Sequence, residues 1–298
     1  MTITTDPLPD PRQRTIDIGI ISDTHQPQRL AQLPPSLSTV FAGVDLILHA
    51  GDVGELWVLD QLSHLAPVVA VHGNDDTWTA QRELPERQVL SIQGHRILLW
   101  HSHFARRADE MEFRKGDTWE TKLDRLMAHA QAAGASIVVY GHTHIPMVTL
   151  SQGVWIVNPG ALASGTAFTA QSVCTVARMR LAPGVPPEVT HWDLGETPQP
   201  VDVSLDWSAG FAAALRRYSH GILDADLERV EAAVRQTFSP DVPHAEQLNA
   251  AYFRAAHRVW AGEVPLLSWD MLERELRADA SIPQVLIQHL ERRLGGDG

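Results

Sequence analysis

The feature that most constrains the fold is an alternation, between residues 16 and 140, of short apolar runs with longer amphipathic stretches. The runs have the length of strands and are rich in Val, Ile and Leu on both faces, as in buried parallel strands. They cover residues 16–21, 45–49, 67–72, 96–100 and 136–140. Stretches with helical spacing of apolar residues cover 29–41, 55–64 and 118–133. The alternation predicts an α/β fold, a layered sheet with helices outside.

A second pattern begins at Ile145, where turn residues separate shorter apolar runs. Two of these runs flank Gln152 and Gly153, which predicts a hairpin that turns at this pair. Further strands are expected over residues 172–180 and 187–193, so that a meander completes the sheet.

The chain beyond a linker at residues 195–200 has helical patterning with two apolar stripes. The stripes are Trp207, Phe211, Leu215 and Tyr218, and Leu227, Val230, Val234 and Phe238. They are expected to pack mainly on one another and to leave one face toward the α/β domain. A last helix is predicted between Ser281 and Gly295. The predicted organisation is a mobile tail over residues 1–14, an α/β domain over 15–195 and a helical C-terminal domain over 204–298.

Charge and cysteine content exclude several classes of protein. The chain of 298 residues has 36 acidic and 24 basic residues, and its formal charge of −12 opposes binding to nucleic acid or to an anionic membrane surface. No run of about 18 apolar residues occurs, and the first residues lack the apolar segment of a signal peptide. The single cysteine, Cys174, cannot form an internal disulfide. We therefore expect a folded cytoplasmic protein with no membrane partner.

Polar residues that can bind metal ions follow each of the five predicted strands. They lie in the segments 22–25, 51–52, 73–76, 100–103 and 141–144. The carboxyl ends of strands in an α/β sheet form the crevice where ligands bind. The i, i+2 spacing of Asp23 with His25, and of His142 with His144, suits chain that is still extended, with both side chains on one side. Glycines at positions 51, 73 and 141 are expected to allow the backbone to approach the ions closely.

The donor groups in these segments are imidazoles, carboxylates and an amide, without a thiolate. This mixed nitrogen and oxygen set suits two divalent ions, with manganese as the first expectation and iron, zinc or nickel as alternatives. Two ions roughly 3.5–4 Å apart can bind a hydroxide between them and hold the attacking and leaving oxygens of an in-line displacement. Their local positive charge would attract a phosphate in spite of the negative charge of the chain.

The five segments follow the order D-x-H, GD, GN, H and GHxH, and over residues 15–193 the sequence resembles the calcineurin-like metallophosphoesterase family. It is similar in particular to the small bacterial and archaeal phosphodiesterases, down to the Asn158-Pro-Gly after the hairpin. The resemblance implies an αββα sandwich with a dinuclear metal site. It implies that Asp23, His25 and His144 hold one metal ion, that Asn74, His101 and His142 hold the other, and that Asp52 bridges them.

One departure from the family pattern bears on mechanism. Many members place a histidine, thought to act as a general acid, directly after the Gly-Asn, whereas this chain has Asp75. An ionised Asp75 cannot donate a proton, so Asp75 with a raised pKa and His103 are the two candidate acids. The additional negative charge of Asp75 is expected to disfavour a phosphomonoester dianion more than a phosphodiester monoanion.

Two further residues are candidates for contact with the substrate. Asn74 lies in the Gly-Asn segment, and Arg106 follows the His101 segment closely enough to bind a substrate phosphate. Acidic residues follow Arg106 at once, so a solvated charged loop is the alternative for this part of the chain.

The residues together favour a metal-dependent phosphoric ester hydrolase that cleaves small phosphodiesters by attack of a metal-bridging hydroxide. A phosphomonoesterase or protein phosphatase with the same metal ions is the first alternative. The second is a non-catalytic binding scaffold, as in the retromer subunit that resembles this fold, and competent side chains at all seven ligand positions disfavour it. The C-terminal helices have no recognisable catalytic residues and could cap the cleft, bind a partner or join two copies of the chain in a homo-oligomer.

Overall fold

The structure is a computed structural model that describes residues 14–239 and 242–294. The predicted tail, apart from Arg14, and Gly295 lie outside the described residues. The strands are β1 (Ile16–Ile21), β2 (Leu46–His49), β3 (Val68–Ala70), β4 (Arg87–Ile92), β5 (His95–Trp100), β6 (Ile137–Tyr140), β7 (Met147–Ser151), β8 (Val154–Asn158), β9 (Thr169–Gln171), β10 (Thr175–Leu181), β11 (Glu188–Asp193), β12 (Gln199–Pro200) and β13 (Ser219–Gly221).

The helices are α1 (Ser36–Val40), α2 (Trp57–Ser63), α3 (Trp78–Glu83), α4 (Arg107–Lys115), α5 (Trp119–Ala133), α6 (Phe211–Tyr218), α7 (Ala225–Arg229), α8 (Glu231–Thr237), α9 (Ala245–Trp260), α10 (Trp269–Ala278) and α11 (Gln284–Leu294). Within the described parts of the chain, every helix is too short or too polar to cross a membrane.

Two large sheets pack face to face at the centre of the α/β region. The first has the order β12-β11-β10-β1-β2-β3, with β1, β2 and β3 parallel. The second has the order β4-β5-β6-β8-β7, with β5, β6 and β8 parallel. Ile18 and Leu48 of the first sheet share one buried core with Ile97 and Val139 of the second. A separate ribbon pairs β9 with β13.

Helices cover the outer faces of both sheets. Leu37 of α1 and Val58 of α2 pack with Ile47 of the first sheet. Leu126 of α5 packs with Val138 of the second sheet. Because the central strands are apolar on both faces, each sheet has one face for the other sheet and one for its helices. The layers follow the order helix, sheet, sheet, helix, and the predicted αββα sandwich is confirmed.

The five strands and the hairpin predicted from the sequence are present, with some ends shifted by one to three residues. The helix predicted over residues 29–41 is wrong in its first part, because Pro34 and Pro35 disfavour helical backbone before them and α1 begins only at Ser36. Strand β4 was not predicted, because it alternates between half-buried and exposed residues at the edge of the second sheet. The meander strands are divided between the two sheets, with β7 and β8 in the second and β10 and β11 in the first.

The two apolar stripes of the C-terminal region lie in different cores. Tyr218 of α6 packs with Trp119 and Leu126 of α5, whereas Leu227 and Val234 belong to a core formed with α9, α10 and α11. The expectation that the stripes pack mainly on one another is therefore wrong. Asp117 explains the position of the first stripe, because its main-chain and side-chain oxygens accept hydrogen bonds from the first two N–H groups of α6, at 2.8 and 2.6 Å.

Candidate metal centre

The loops after β1, β2, β3, β5 and β6 bring carboxylate and imidazole groups together at one edge of the sandwich. Three groups of three residues place one ligand atom per residue within 4.8 Å of the others. The groups are Asp23, His25 and His144; Asp52, His101 and His142; and, on the exposed side, His25, Asp52 and Asp75. The first is the set that the family resemblance implies for one metal ion. The second unites two residues implied for the other ion with the carboxylate implied as the bridge.

Asp52 faces members of the first two groups. Its Oδ2 atom is 3.1 Å from Nε2 of His101 and 3.6 Å from Nε2 of His25. Asp23 is paired on the first side, with Oδ1 3.0 Å from Nε2 of His144. A carboxylate between the two groups can offer an oxygen to each of two ions, which supports the predicted bridging role of Asp52.

The orientation of the histidines fits cation binding. Nδ1 of His101 lies 2.8 Å from the carbonyl oxygen of Ala50, so in the neutral ring Nδ1 donates to it and Nε2 has the free lone pair. Nε2 is buried and makes no hydrogen bond to any described residue, although Asp52 is nearby. Nδ1 of His144 is buried and without such a bond to the described residues as well. Buried unpaired nitrogens of this kind require an explanation, and bound divalent ions would supply one.

The backbone at the ligands is left-handed rather than extended. The φ angle is 54° at Asp23, 43° at His25, 71° at His142 and 57° at His144, so the prediction of extended chain through these pairs is wrong. Each such non-glycine residue costs about 1–3 kcal/mol, and such residues cluster at functional sites. The neighbouring loop holds the turn in place, since Asp23 N donates to Gly51 O at 3.0 Å. Tight turns, and not strand alternation, aim both members of a pair at one point.

Three glycines make room for this packing. A Cβ atom at Gly51 would lie 2.7 Å from the side chain of His101, and Gly51 also has a φ of 93°. At Gly73 and Gly141 a Cβ atom would overlap oxygen atoms of Asp52 and Ser22, respectively. The backbone thus comes close to the ligand side chains themselves, which only glycine allows.

Burial and neighbouring charges act in opposite directions on the ligands. Burial disfavours ionised Asp23 and Asp52, but the positive charge of nearby histidines outweighs it and holds the pKa of both below the usual range. Burial alone would lower the pKa of His101, yet the charges of Asp52 and Asp23 raise it to about 10. Burial and then the Arg29 charge lower the pKa of His25 to about 4. A proton on His101 thus offsets the carboxylates, a role that a metal ion can take over.

Arg29 belongs to the site, and the sequence analysis missed it. Its Nη2 donates to Asp75 Oδ2 at 2.7 Å, and its Nη1 donates to Ser164 O at 3.1 Å and lies 3.4 Å from the ring nitrogens of His25. The side chain is 10% exposed. The available signal was its position four residues after His25, whose carbonyl oxygen accepts a hydrogen bond from Arg29 N at 2.9 Å.

Asp75 and Asn74 lie on the exposed side of the centre. The Asp75 carboxylate accepts hydrogen bonds at both oxygens, from Arg29 and, at 2.7 Å, from Nδ2 of Asn74. Because Arg29 balances the charge of Asp75, the predicted penalty on a monoester dianion is smaller than the sequence alone suggested. These contacts suit an acceptor better than a proton donor. The side-chain oxygen of Asn74 is the atom that could bind a metal ion.

His103 and Arg106 are less suited to their predicted roles. The His103 ring lies 5.6 Å from that of His101, and burial followed by the charges of His101 and His142 lowers its pKa to about 4. Near pH 7 His103 is therefore neutral, which weighs against a proton donor. Arg106 is 79% exposed and makes two hydrogen bonds to Asp109, at 2.9 and 3.0 Å. The alternative of a solvated charged segment describes Arg106 better, although the segment forms helix α4 and not a loop.

Helix α4 contributes a second residue that the sequence analysis missed. Oε1 of Glu110 lies 2.9 Å from Nε2 of His142, and its Oε2 accepts from Phe104 N at 3.3 Å. A carboxylate beside a ligand histidine fixes the orientation of the ring and increases its basicity. The run of charges around Glu110 contains no pattern that separates this residue from its exposed neighbours.

The αββα sandwich and the buried carboxylate and imidazole groups at one edge define a metal-binding protein of the kind that hydrolyses phosphoesters. Residues 16–180 match the family model described as the calcineurin-like phosphoesterase superfamily domain. The chain belongs to this superfamily of phosphoester hydrolases, which normally bind divalent metal ions. The predicted family is thus confirmed, and residues 181–298 lie outside the match.

Individual relatives agree with this assignment. Probable metallophosphoesterases of Methanocaldococcus jannaschii and Methanothermobacter thermautotrophicus are each 34% identical to the chain, over 147 and 144 residues. The aligned regions cover 49% and 48% of this chain and 68% and 76% of the relatives. Among solved structures, Vps29 of Chaetomium thermophilum is 18% identical, with a TM-score of 0.48, and the match covers 62% of this chain and 91% of Vps29.

Proposed function

We propose that this protein is a dinuclear metal-dependent phosphoesterase that hydrolyses phosphodiesters. The observation that carries the proposal is the position of Asp52 between the two ligand groups, with its Oδ2 atom 3.1 Å from the buried Nε2 of His101 and 3.6 Å from Nε2 of His25. One ion would be held by Asp23, His25 and His144, the other by Asn74, His101 and His142, and both by Asp52. Two divalent ions, manganese first among the candidates, supply an activated water and stabilise the charge of the phosphoryl oxygens.

Arg29 is suited to orienting the phosphoryl group. Its bonds to Ser164 and Asp75 fix the guanidinium beside His25. Guanidinium groups present planar sets of donors that match phosphoryl oxygens. Because the side chain is already held in place, it can bind the substrate with little further loss of conformational freedom.

The distribution of charge supports a diester substrate. A diester has one negative charge at neutral pH, whereas a monoester can have two. Within the described residues, Arg29 is the cationic side chain that contacts a ligand residue, and its charge is shared with Asp75. Glu110 adds a carboxylate next to His142. Beside the two proposed ions and Arg29, the second charge of a monoester would therefore also meet the carboxylates of Asp75 and Glu110.

Turnover of two artificial substrates by the manganese-loaded full chain tests the proposal. We expect faster hydrolysis of bis-p-nitrophenyl phosphate than of p-nitrophenyl phosphate. Asp52→Asn should lower the metal content and abolish turnover, because an amide cannot bridge two cations as a carboxylate does. Asp60→Asn, an exposed aspartate on α2, is the matched control. Full activity and two retained ions in Asp52→Asn would contradict the proposed site, and preferred hydrolysis of the monoester would contradict the diester specificity.

A further inference from the structure

The β8–β9 loop, residues 159–168, lies against the metal centre. The carbonyl oxygen of Ser164 accepts a hydrogen bond from Nη1 of Arg29 at 3.1 Å. Gly165 follows directly, and a Cβ atom there would lie 3.4 Å from the ring of His144. The loop therefore contacts a candidate metal ligand and also the cation that is suited to orienting the phosphoryl group.

Helix α9 of the C-terminal region holds the other end of this loop. Nε1 of Trp260 donates to the carbonyl oxygen of Thr169, the first residue of β9, at 2.8 Å. The hydroxyl of Tyr252 donates to the carbonyl oxygen of Ala167 at 3.1 Å. Tyr252 is fully buried, and its ring centre lies 5.1 Å from that of Phe168. Two side-chain donors of one helix thus fix main-chain carbonyl groups at the end of the loop.

A chain of hydrogen bonds connects Trp260 to Arg29. The oxygen of Thr169 that Trp260 contacts also accepts a hydrogen bond from Oγ of Ser164 at 2.5 Å. Oγ of Ser164 lies 2.6 Å from Thr166 O as well, so this hydroxyl keeps the loop folded on itself. The main-chain oxygen of Ser164 then accepts from Arg29. A fixed Thr169 carbonyl therefore keeps the acceptor of Arg29 in one position.

Helix α9 also contacts the segment that bears Arg29. Burial lowers the pKa of His257, and a hydrogen bond between its ring and the main chain of Gln28 acts in the opposite direction. Gln28 directly precedes Arg29, whose N–H donates to His25 O at 2.9 Å. The helix thus contacts both the backbone before Arg29 and the loop that accepts its hydrogen bond.

The other partners of Arg29 hold its guanidinium less firmly. The side chain of Asp75 is 33% exposed, and the contacts of Nη1 with the ring nitrogens of His25, at 3.4 Å, are long for hydrogen bonds. Ser164 is 2% exposed, and its carbonyl oxygen belongs to a loop that is fixed at both ends. The position of Ser164 therefore decides where Nη1 of Arg29 points.

We propose that Trp260 and Tyr252 are positioning residues for phosphodiester hydrolysis, because they hold the β8–β9 loop in the conformation that orients Arg29 beside the metal centre. The inference rests on the proposed function, in which Arg29 orients the phosphoryl group. Both residues act through the loop and not by contact with the substrate. The C-terminal region, which lies outside the family match, thereby takes part in the reaction.

Hydrolysis of bis-p-nitrophenyl phosphate by the manganese-loaded full chain tests this role. Trp260→Phe removes one donor and keeps an aromatic ring, and we expect kcat/KM to fall by about 3- to 10-fold, as for the loss of one hydrogen bond. Tyr252→Phe should lower kcat/KM in the same way, and both variants should retain their metal ions. Trp269→Phe, in the same hydrophobic core as α9, and Tyr218→Phe on α6 are the matched controls and should leave kcat/KM unchanged.

A double-mutant cycle separates positioning from a general loss of stability. Arg29→Ala removes the group that Trp260 is inferred to position, so Trp260→Phe should lower kcat/KM no further in the Arg29→Ala background. An equal loss in both backgrounds would overturn the inference, and so would an unchanged kcat/KM in Trp260→Phe. Either result would leave the proposed function intact, because the unaltered chain would still hydrolyse the diester.

The order of the Arg29 guanidinium is a readout that does not depend on hydrolysis. NMR relaxation of its Nε–H group, assigned with Arg29→Ala, measures the order parameter. We expect a lower order parameter in Trp260→Phe and no change in Trp269→Phe. This pattern in a protein that hydrolyses no ester would contradict the proposed function and support the positioning of Arg29 by α9. An unchanged order parameter in Trp260→Phe would contradict the inference whatever the protein hydrolyses.

Discussion

At the scale of single residues, His101 has two alternative partners for its Nε2 atom. In the metal-free protein Asp52 and Asp23 outweigh burial and raise the pKa of His101 to about 10, so the ring holds a proton at neutral pH. A metal ion requires the neutral ring, and the proton must leave when the ion binds. The raised pKa also stabilises the metal-free fold. This contribution to the free energy of unfolding is fully present below pH 6.5, which is about the pKa of His101 in the unfolded chain. It is lost as the pH rises toward 10, the pKa of His101 in the folded protein.

Metal binding is therefore predicted to release a proton from His101 and to tighten as the pH increases. Between pH 8 and 9 we expect about one proton released from this group per protein, and less as the pH passes 10. Calorimetric titration with Mn²⁺ in buffers of different ionisation enthalpy measures the number. His220→Asn, which changes an exposed histidine on β13, is the control and should release the same number. Proton release that is zero at pH 8 would show that Asp52 does not hold a protonated His101.

The sequence predicted which candidate ligand residues come together better than it predicted their surroundings. Asp23, Asp52 and the candidate ligand histidines each follow a strand, and it is their combination in this order, rather than any one of them, that is informative. Arg29 and Glu110 reach the same site through side-chain contacts from neighbouring segments. Such contacts depend on tertiary packing and leave no periodic signal in a single sequence.

At the scale of elements, the tight turns after β1 and β6 decide where the ligands point. The loop of Gly141 packs directly on the loop of Asp23, since His142 N lies 3.1 Å from Asp23 Oδ2 and donates to it. A Cβ atom at Gly141 would meet Ala50 O at 2.7 Å and Asp23 Oδ2 at 2.9 Å. The glycine therefore sets the distance between two ligand-bearing loops.

Gly141→Ala is predicted to separate these loops. We expect a loss of about 1–3 kcal/mol in the free energy of unfolding, as for an overpacked site, together with weaker metal binding. Gly221→Ala on β13 is the matched control, because a Cβ atom there has no neighbour within 4 Å. Urea unfolding and Mn²⁺ titration measure the two effects. Unchanged metal affinity in Gly141→Ala would mean that close packing of the loops is not required.

Strands and helices with continuous apolar patterns were predicted well. Exposed elements and turns with left-handed backbone were not. The buried central strands have continuous apolar runs, and these were found. The edge strand β4 and the charged helix α4 have few buried residues, so their patterns resemble those of loops. The left-handed φ angles at His142 and His144 could not be predicted, because non-glycine residues adopt them only when the surrounding structure stabilises them.

At the scale of the whole molecule, helix α6 belongs to the α/β region by packing although it follows the linker in sequence. Tyr218 is 1% exposed in the core that includes α5, whereas Leu272 is fully buried in the core of α9, α10 and α11. The boundary predicted between residues 195 and 204 therefore marks a change in sequence pattern, from strands to helices. It does not separate the two hydrophobic cores, because α6 follows the boundary and packs in the core of α5. Removal of the residues after 200 would expose the apolar face of α5 that α6 covers. The C-terminal region is therefore part of the packing of the α/β domain and not an independent unit attached to it.

Substitutions in the two cores are predicted to destabilise different parts of the protein. Tyr218→Ala leaves a cavity beside α5 and should cost about 3–5 kcal/mol, whereas Tyr218→Phe should be neutral or stabilising, since the hydroxyl is buried and unpaired among the described residues. Leu272→Ala should cost about 2–5 kcal/mol within the C-terminal core.

Hydrogen exchange locates the effects, because locally destabilised segments exchange faster. We expect faster exchange over Trp119–Ala133 in Tyr218→Ala, and over Ala245–Trp260 without a change at Trp119–Ala133 in Leu272→Ala. Unchanged protection of Trp119–Ala133 in Tyr218→Ala would show that α6 does not stabilise α5.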